Sequence, residues 1–186
     1  MNAVIGTLTN WMIKSEIIFL DDVEIFNYGI RQICMVGVST ISTLLIGWSM
    51  GMLWQAIAFY FFYIPLRSFA GGYHARTPIA CYIYSLVLIA VALKSIDFIS
   101  TTPIAGYLLI GISTVVIIIL APVGDQNKPL TQQEQKKYKT VTIRILAFHL
   151  SAFLVTSTIS VEVMSIILIA ISTVAFMLLC GSGNNN

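Results

Sequence analysis

This sequence has little charge. Only 10% of its 186 residues are charged, against 58% that are hydrophobic, and its mean hydropathy is +0.90. A soluble domain carries about 25% charged residues to cover its surface, so stable dispersal in water is excluded and a membrane protein is expected. A net charge of +2 is too small for a nucleic-acid partner. The composition also excludes disorder, collagen and coiled coil. Cysteine is scarce too: Cys34, Cys81 and Cys180 offer neither a disulfide framework nor a metal-ligand cluster, so any special cysteine acts alone. No metal or cofactor is expected. The first 31 residues set Lys14 and Arg31 against Glu16, Asp21, Asp22 and Glu24. They lack the basic start, short apolar run and small-residue cleavage site of a secretory signal, so retention of this segment is expected.

What is present is apolar sequence in blocks. A spanning helix needs about 20 apolar residues, and six of them would use roughly two thirds of the chain. The expected fold is therefore all-α, a polytopic integral membrane protein with a single domain over residues 1–186. Val4, Ile5, Leu8, Trp11, Met12 and Ile18 recur at helical spacing between Thr7, Asn10 and Lys14. That pattern predicts an N-terminal amphipathic segment, within residues 1–31, lying on the membrane surface. Asp21-Asp22-Val23-Glu24 reads as an acidic helix start leading into the membrane. No charge interrupts Ile33 to Leu66, a stretch that would be about 50 Å long as one helix, well beyond a bilayer core of about 30 Å. It must turn, and Gly47-Trp48-Ser49-Met50-Gly51 is the natural place. The expected spans are 32–48, 51–66, 79–98, 104–121, 141–159 and 162–180. Polar loops fall at 67–78 and 122–140, and Gly181 to Asn186 is a polar tail to which no function is assigned.

Six spans put both termini on one side with Lys14, Arg31, Arg67, Arg76, Lys128, Lys136, Lys137, Lys139 and Arg144, leaving Lys94 alone opposite. The positive-inside rule then places the termini and both polar loops in the cytoplasm, whereas five or seven spans would split the basic clusters across the membrane.

Reactive residues concentrate between Arg67 and Cys81. Thr77-Pro78 reads as an N-cap followed by proline at the first helical position, where a missing N–H costs nothing. Cys81 then lies in the first turn of the third span, with the helix's positive end and Arg76 nearby, an arrangement suited to a thiolate nucleophile. His74, seven residues earlier, can serve as its general base if the loop folds back. Gly71 and Gly72 supply backbone freedom and close approach. Against these, Cys34 and Cys180 read as apolar filler, and His149, among Leu146, Phe148 and Leu150, reads as a packing residue. On spacing alone, a histidine and a cysteine in one interfacial loop can also be coincidence.

Arg67, Gly72-Tyr73-His74-Ala75, Cys81 and Ser85 resemble the Arg, Gly-x-His-Ala, Cys and Ser pattern of the accessory gene regulator B family, membrane cysteine endopeptidases that process precursors of cyclic quorum-sensing peptides. Ala121-Pro122-Val123-Gly124-Asp125-Gln126-Asn127-Lys128-Pro129-Leu130 is similar to the family's Ala-Pro and Asn-Lys-Pro-Leu segment. The resemblance covers essentially the whole chain. It implies a propeptide substrate with an amphipathic leader, a short core and an acidic C-terminal tail, cut between core and tail by Cys81 with His74 as base and acid. A peptidyl thioester would follow, from which an internal cysteine or serine closes a thiolactone or lactone. It further implies supporting roles for Arg67 (architecture or carboxylate contact), Gly71 and Gly72 (backbone geometry) and Ser85, one turn beyond Cys81.

Lys128, Lys136, Lys137 and Lys139 suit an acidic tail, and equally suit ordinary topology and anionic lipid. No third catalytic acid is evident. Gly, Ser and Thr in the spans suit a homodimer. Two other classes compete: a peptide transporter or exporter, disfavoured by the lack of midplane charge and of an inverted repeat, and a structural or regulatory subunit without chemistry.

Overall fold

A computed structural model describes residues 6, 9, 12–15, 18, 22–73, 77–101, 103–124 and 131–183. The chain divides into two compact units, Met1–Ser42 and Thr43–Asn186. Among the described residues six long helices run in order: α1 (Val23–Ser49), α2 (Leu53–Ala70), α3 (Pro78–Thr101), α4 (Pro103–Leu120), α5 (Gln132–Thr156) and α6 (Val161–Gly183). Among the described residues there is no strand, so the all-α expectation holds. Three helical stretches, Ile79–Ile99, Gln132–Thr156 and Val161–Gly183, are long and apolar enough to cross a membrane. Ile33–Ser49 and Ala105–Leu120 are apolar but shorter.

In the first unit, α1 opens at Val23, directly after the acidic pair. Residues 12–14 are helical, while most of the expected amphipathic stretch lies outside the described residues. The Thr9 hydroxyl donates to Asn27 Oδ1 at 2.6 Å. The hydroxyls of Thr40 and Ser42 donate back to the Val36 and Val38 carbonyls, so neither places an unsatisfied donor on an apolar helix.

The second unit begins inside the last turns of α1. The chain reverses at Met50–Met52, where Gly51 takes φ +70° and Met52 N–H donates to Gly47 O at 2.7 Å. This is the turn expected from the glycine pair. A Cβ on Gly47 would stand 2.5 Å from Ala56 Cβ, so the crossing of α1 and α2 requires glycine there.

The core of this unit is α6. Every residue from Met164 to Ile171 is buried, as expected for a helix that is apolar all round, and α2, α3, α4 and α5 all pack against it. Its polar residues are bonded internally or to a neighbour: Ser165 to Val161 O, Thr173 to Ile169 O, and Ser172 accepting from Ser113 of α4 at 3.1 Å. Gly106 lets α4 approach closely, since a Cβ there would be 3.2 Å from Leu168 Cδ1.

Two expected boundaries need correction. First, α2 continues through Pro65 to Ala70, so Arg67 and Ser68 belong to a helix and not to the polar loop. Proline at 65 removes the donor for the Phe61 carbonyl, and His149 of α5 lies against the next carbonyl: its Nε2 is 2.8 Å from Phe62 O and its Nδ1 2.7 Å from Ile145 O. His149 is thus a buried packing residue whose N–H donates to one of these two carbonyls.

Second, α5 starts at Gln132, nine residues before the expected start of the fifth span, and Lys136, Lys137 and Lys139 lie on a helix. The cause is a capping box. Glu134 N–H donates to Thr131 Oγ1 at 3.3 Å, and Thr131 N–H donates to Glu134 Oε2 at 3.0 Å. Losing such a cap costs about 1 kcal/mol. Thr131→Ala is therefore expected to raise amide exchange over residues 132–136 and leave 146–156 unchanged. Unchanged exchange at 132–136 would show that the box does not hold the helix start.

Candidate active site

The site is assembled at the junction of α2, the loop after it, and the first turn of α3. Gly71 ends α2 with φ +74°, and Gly72 follows with φ +132°. Both conformations favour glycine, and both positions are also crowded. A Cβ on Gly71 would collide with the Val123 carbonyl, and one on Gly72 would stand 3.1 Å from Arg67 Nη1 and from Met177 O. Val123 N–H donates to Ala70 O at 3.0 Å, and Gly71 pairs with Val123 in an isolated bridge. Ala121-Pro122-Val123-Gly124, which follows α4 and contains a cis Ala121–Pro122 bond, is thereby laid against the end of α2. Two segments that are well separated in sequence share one site.

The third side is α6. Tyr73 N–H donates to Met177 O at 2.8 Å, and a Cβ on Gly181 would be 2.7 Å from Gly72 C and from Tyr73 N. Arg67 closes the loop from within, its Nη2 donating to Tyr73 O at 3.0 Å. The same guanidinium hydrogen-bonds the half-buried Tyr63 side chain. One turn of α2 separates Tyr63 from Arg67, which puts both on one helix face.

Cys81 is held by a well-formed helix start. Thr77 Oγ1 accepts from Ala80 N–H at 3.2 Å, and Cys81 N–H donates to Thr77 O at 3.0 Å. The expected cap and first-turn placement are both present. The thiol is half-buried in the first turn of α3. Ser85 donates its hydroxyl to Cys81 O at 2.9 Å, so its proton is committed to the backbone. The rings of Tyr73 and Tyr84 meet at 5.5 Å between centroids and dock the loop on α3.

His74 and Lys128 lie outside the described residues. Lys136, Lys137 and Lys139 are exposed on the first turns of α5, and the Phe69–Tyr138 ring contact at 5.9 Å places that stretch beside the end of α2. Cys34 is exposed and Cys180 half-buried. No group of three or more His, Cys, Asp or Glu side chains suited to a metal occurs among the described residues.

The family profile described as Accessory gene regulator B matches residues 5–178. The chain belongs to the accessory gene regulator B family. It is similar to "Putative AgrB-like protein 2" of Clostridium perfringens strain 13, 27% identical over 153 residues that cover 78% of this chain and 67% of the relative. A second "Putative AgrB-like protein", from C. perfringens strain SM101, is 27% identical over 156 residues with the same coverage. "Accessory gene regulator protein B" of Staphylococcus saprophyticus is 27% identical over 96 residues, half of each chain. No solved structure matches. Family membership and three helices of spanning length together make this a membrane protein.

For this accessory gene regulator B chain, sequence reasoning passed over Tyr63, Met177 and Gly181. Tyr63 becomes legible once α2 is known to extend past Arg67. Gly181 had no local signal, being assigned to a polar tail without function, yet its missing side chain is what admits the loop. Gly181→Val is expected to push Tyr73 away from Met177. Loss of one hydrogen bond of about 1 kcal/mol would raise amide exchange at Tyr73 roughly fivefold. Unaltered protection would contradict the close packing described.

Proposed function

We propose that this protein is a membrane-embedded cysteine endopeptidase that removes the C-terminal tail of a quorum-sensing propeptide and promotes closure of its ring. The observation that carries the reading is the gathering of Tyr63, Arg67, the Gly71–Tyr73 loop and the capped start of α3 bearing Cys81 at one end of the helix bundle. Family membership supports it.

In this mechanism His74 takes the thiol proton as the Cys81 sulfur attacks the carbonyl between core and tail. The tetrahedral intermediate collapses with cleavage of the C–N bond, and His74 returns the proton to the departing amine. The products are a tail with a free amino terminus and a peptidyl thioester on Cys81. An internal cysteine or serine of the bound peptide then attacks the thioester carbonyl, closes a thiolactone or lactone and restores the Cys81 thiol. No external energy source enters, because the acyl group stays activated throughout. Arg67 keeps the loop preceding His74 in place by holding Tyr73 O. Lys128, Lys136, Lys137 and Lys139 attract the acidic tail.

The same reading has six spans with both termini, the loop around His74 and the start of α5 on the cytoplasmic side, where a newly made, membrane-bound precursor arrives. The basic residues support this orientation, nine against one. A homodimer remains compatible with it.

In liposomes with a synthetic precursor, Cys81→Ala is expected to abolish tail release while retaining peptide binding, and His74→Ala to lower turnover by at least about a hundredfold. Retained cleavage in Cys81→Ala would overturn the cysteine mechanism. Normal turnover in His74→Ala would remove the general base even if Cys81 stands. Arg67→Lys cannot reproduce the planar fork that serves Tyr73 O and Tyr63 together, so a loss of roughly tenfold or more in turnover is expected, equivalent to about 1.4 kcal/mol. Wild-type rates in Arg67→Lys would reduce Arg67 to a bare charge.

A further inference from the structure

A groove of about 280 Å³ lies between α2 and α5, lined by Phe61, Pro65, Arg144, Ile145, Phe148 and His149. It is separate from the site around Cys81. Phe61 and Pro65 lie on the face of α2 opposite to Tyr63 and Arg67, as four-residue and two-residue offsets on a helix require. Its walls are apolar: Phe61 and Phe148 are exposed, and His149 has both ring nitrogens against backbone carbonyls, leaving only ring carbons for the groove.

Arg144 does not fit this lining unless it has a counter-charge. It is exposed on α5, and no hydrogen-bond or ion-pair partner for it occurs among the described residues. Twelve residues, or about 18 Å of helix, separate it from the far end of α5 at Thr156. A bilayer core of about 30 Å measured from that end reaches past Arg144. Its guanidinium must snorkel, and an unpaired charge at that depth is costly unless an anion meets it. The one acid on α5 is Glu134, ten positions away and engaged with Thr131. Lys137 precedes Arg144 by two turns and Phe148 follows by one, so two cations and the groove share a single face of α5.

We propose that this groove binds an anionic phospholipid, with an acyl chain along Phe61, Ile145 and Phe148 and the phosphodiester held by Arg144 and, nearer the surface, Lys137. Guanidinium matches phosphate oxygens in bidentate geometry. A peptide would leave the apolar walls beneath Arg144 unfilled, whereas a lipid fills both halves. The proposal does not depend on the chemistry at Cys81.

The test reconstitutes the full chain in vesicles of phosphatidylcholine with a minor fraction of phosphatidylglycerol and reads, by native mass spectrometry after gentle extraction, which lipid stays bound. Each basic residue at an anionic surface is worth about 1 kcal/mol, so enrichment of phosphatidylglycerol by roughly ten- to thirtyfold is expected. Arg144→Gln should reduce it several-fold, and Arg144→Lys should keep most of it. Ile145→Trp, which fills the groove and leaves the charges alone, should lower retention of both lipids. Lys139→Gln, on the other face of α5, removes the same charge and should change little. Equal retention of the two lipids by the unaltered chain would overturn the proposal, as would full enrichment in Arg144→Gln. So would intact lipid preference in Arg144→Gln combined with weaker capture of a synthetic acidic peptide, which would assign Arg144 to the substrate. Cys81→Ala should leave the enrichment unchanged, so failure here and failure of the peptidase reading are told apart.

Discussion

The hydrogen bond from Tyr73 N–H to the Met177 carbonyl is the tie on which the site depends. The loop is docked on α6, the helix of the second unit that is buried along most of its length. Docking the loop on that helix transfers the order of the core to the residues just before His74. The contact has a steric condition: Gly72 and Gly181 must both lack side chains for the backbones to come this close. Arg67 then secures the same peptide from the opposite side by bonding Tyr73 O, so the Tyr73 backbone is held at both its N–H and its carbonyl. Two hydrogen bonds and two absent methyl groups fix the Gly71–Tyr73 loop.

Scarcity of charge turns from a compositional fact into a spatial one. The described cations have distinct settings. Arg67 is drawn into the bundle and used up on Tyr73 and Tyr63. Lys136, Lys137 and Lys139 stand in the open on the first turns of α5. Arg144 is carried deeper along the same helix without a partner among the described residues, at the rim of an apolar groove. In a chain with this few charges each position is expensive in an apolar medium, and the structure gives each group a different answer to that cost.

How much of this was legible in the sequence depended on whether the signal was local. The Thr77-Pro78 start and the turn at Gly51 are local, and both are where expected. The capping box Thr131-Gln132-Gln133-Glu134 was equally readable and was passed over because the basic run behind it looked like a loop, although charged residues on a helix extending beyond a membrane carry no penalty. Arg67 was misplaced for a related reason: its charge suggested the end of a span, yet partners on its own helix and in the next loop allow α2 to run on to Ala70. The contacts of Val123 with Ala70 and of Gly181 with Gly72 had no local signature. They join residues far apart in the chain, and only packing shows them. Two family motifs were visible as separate strings, and their adjacency was not.

The proposed peptidase chemistry requires Cys81 to become acylated by the peptide core. Incubating the reconstituted protein with a precursor whose internal nucleophile is replaced by alanine should block ring closure and trap the intermediate, to be read by intact-protein and peptide mass spectrometry. An adduct of leader plus core, without the tail, is expected on the peptide containing Cys81, released by hydroxylamine. Tail release with no adduct at Cys81, or an adduct on Cys34 or Cys180 instead, would contradict it.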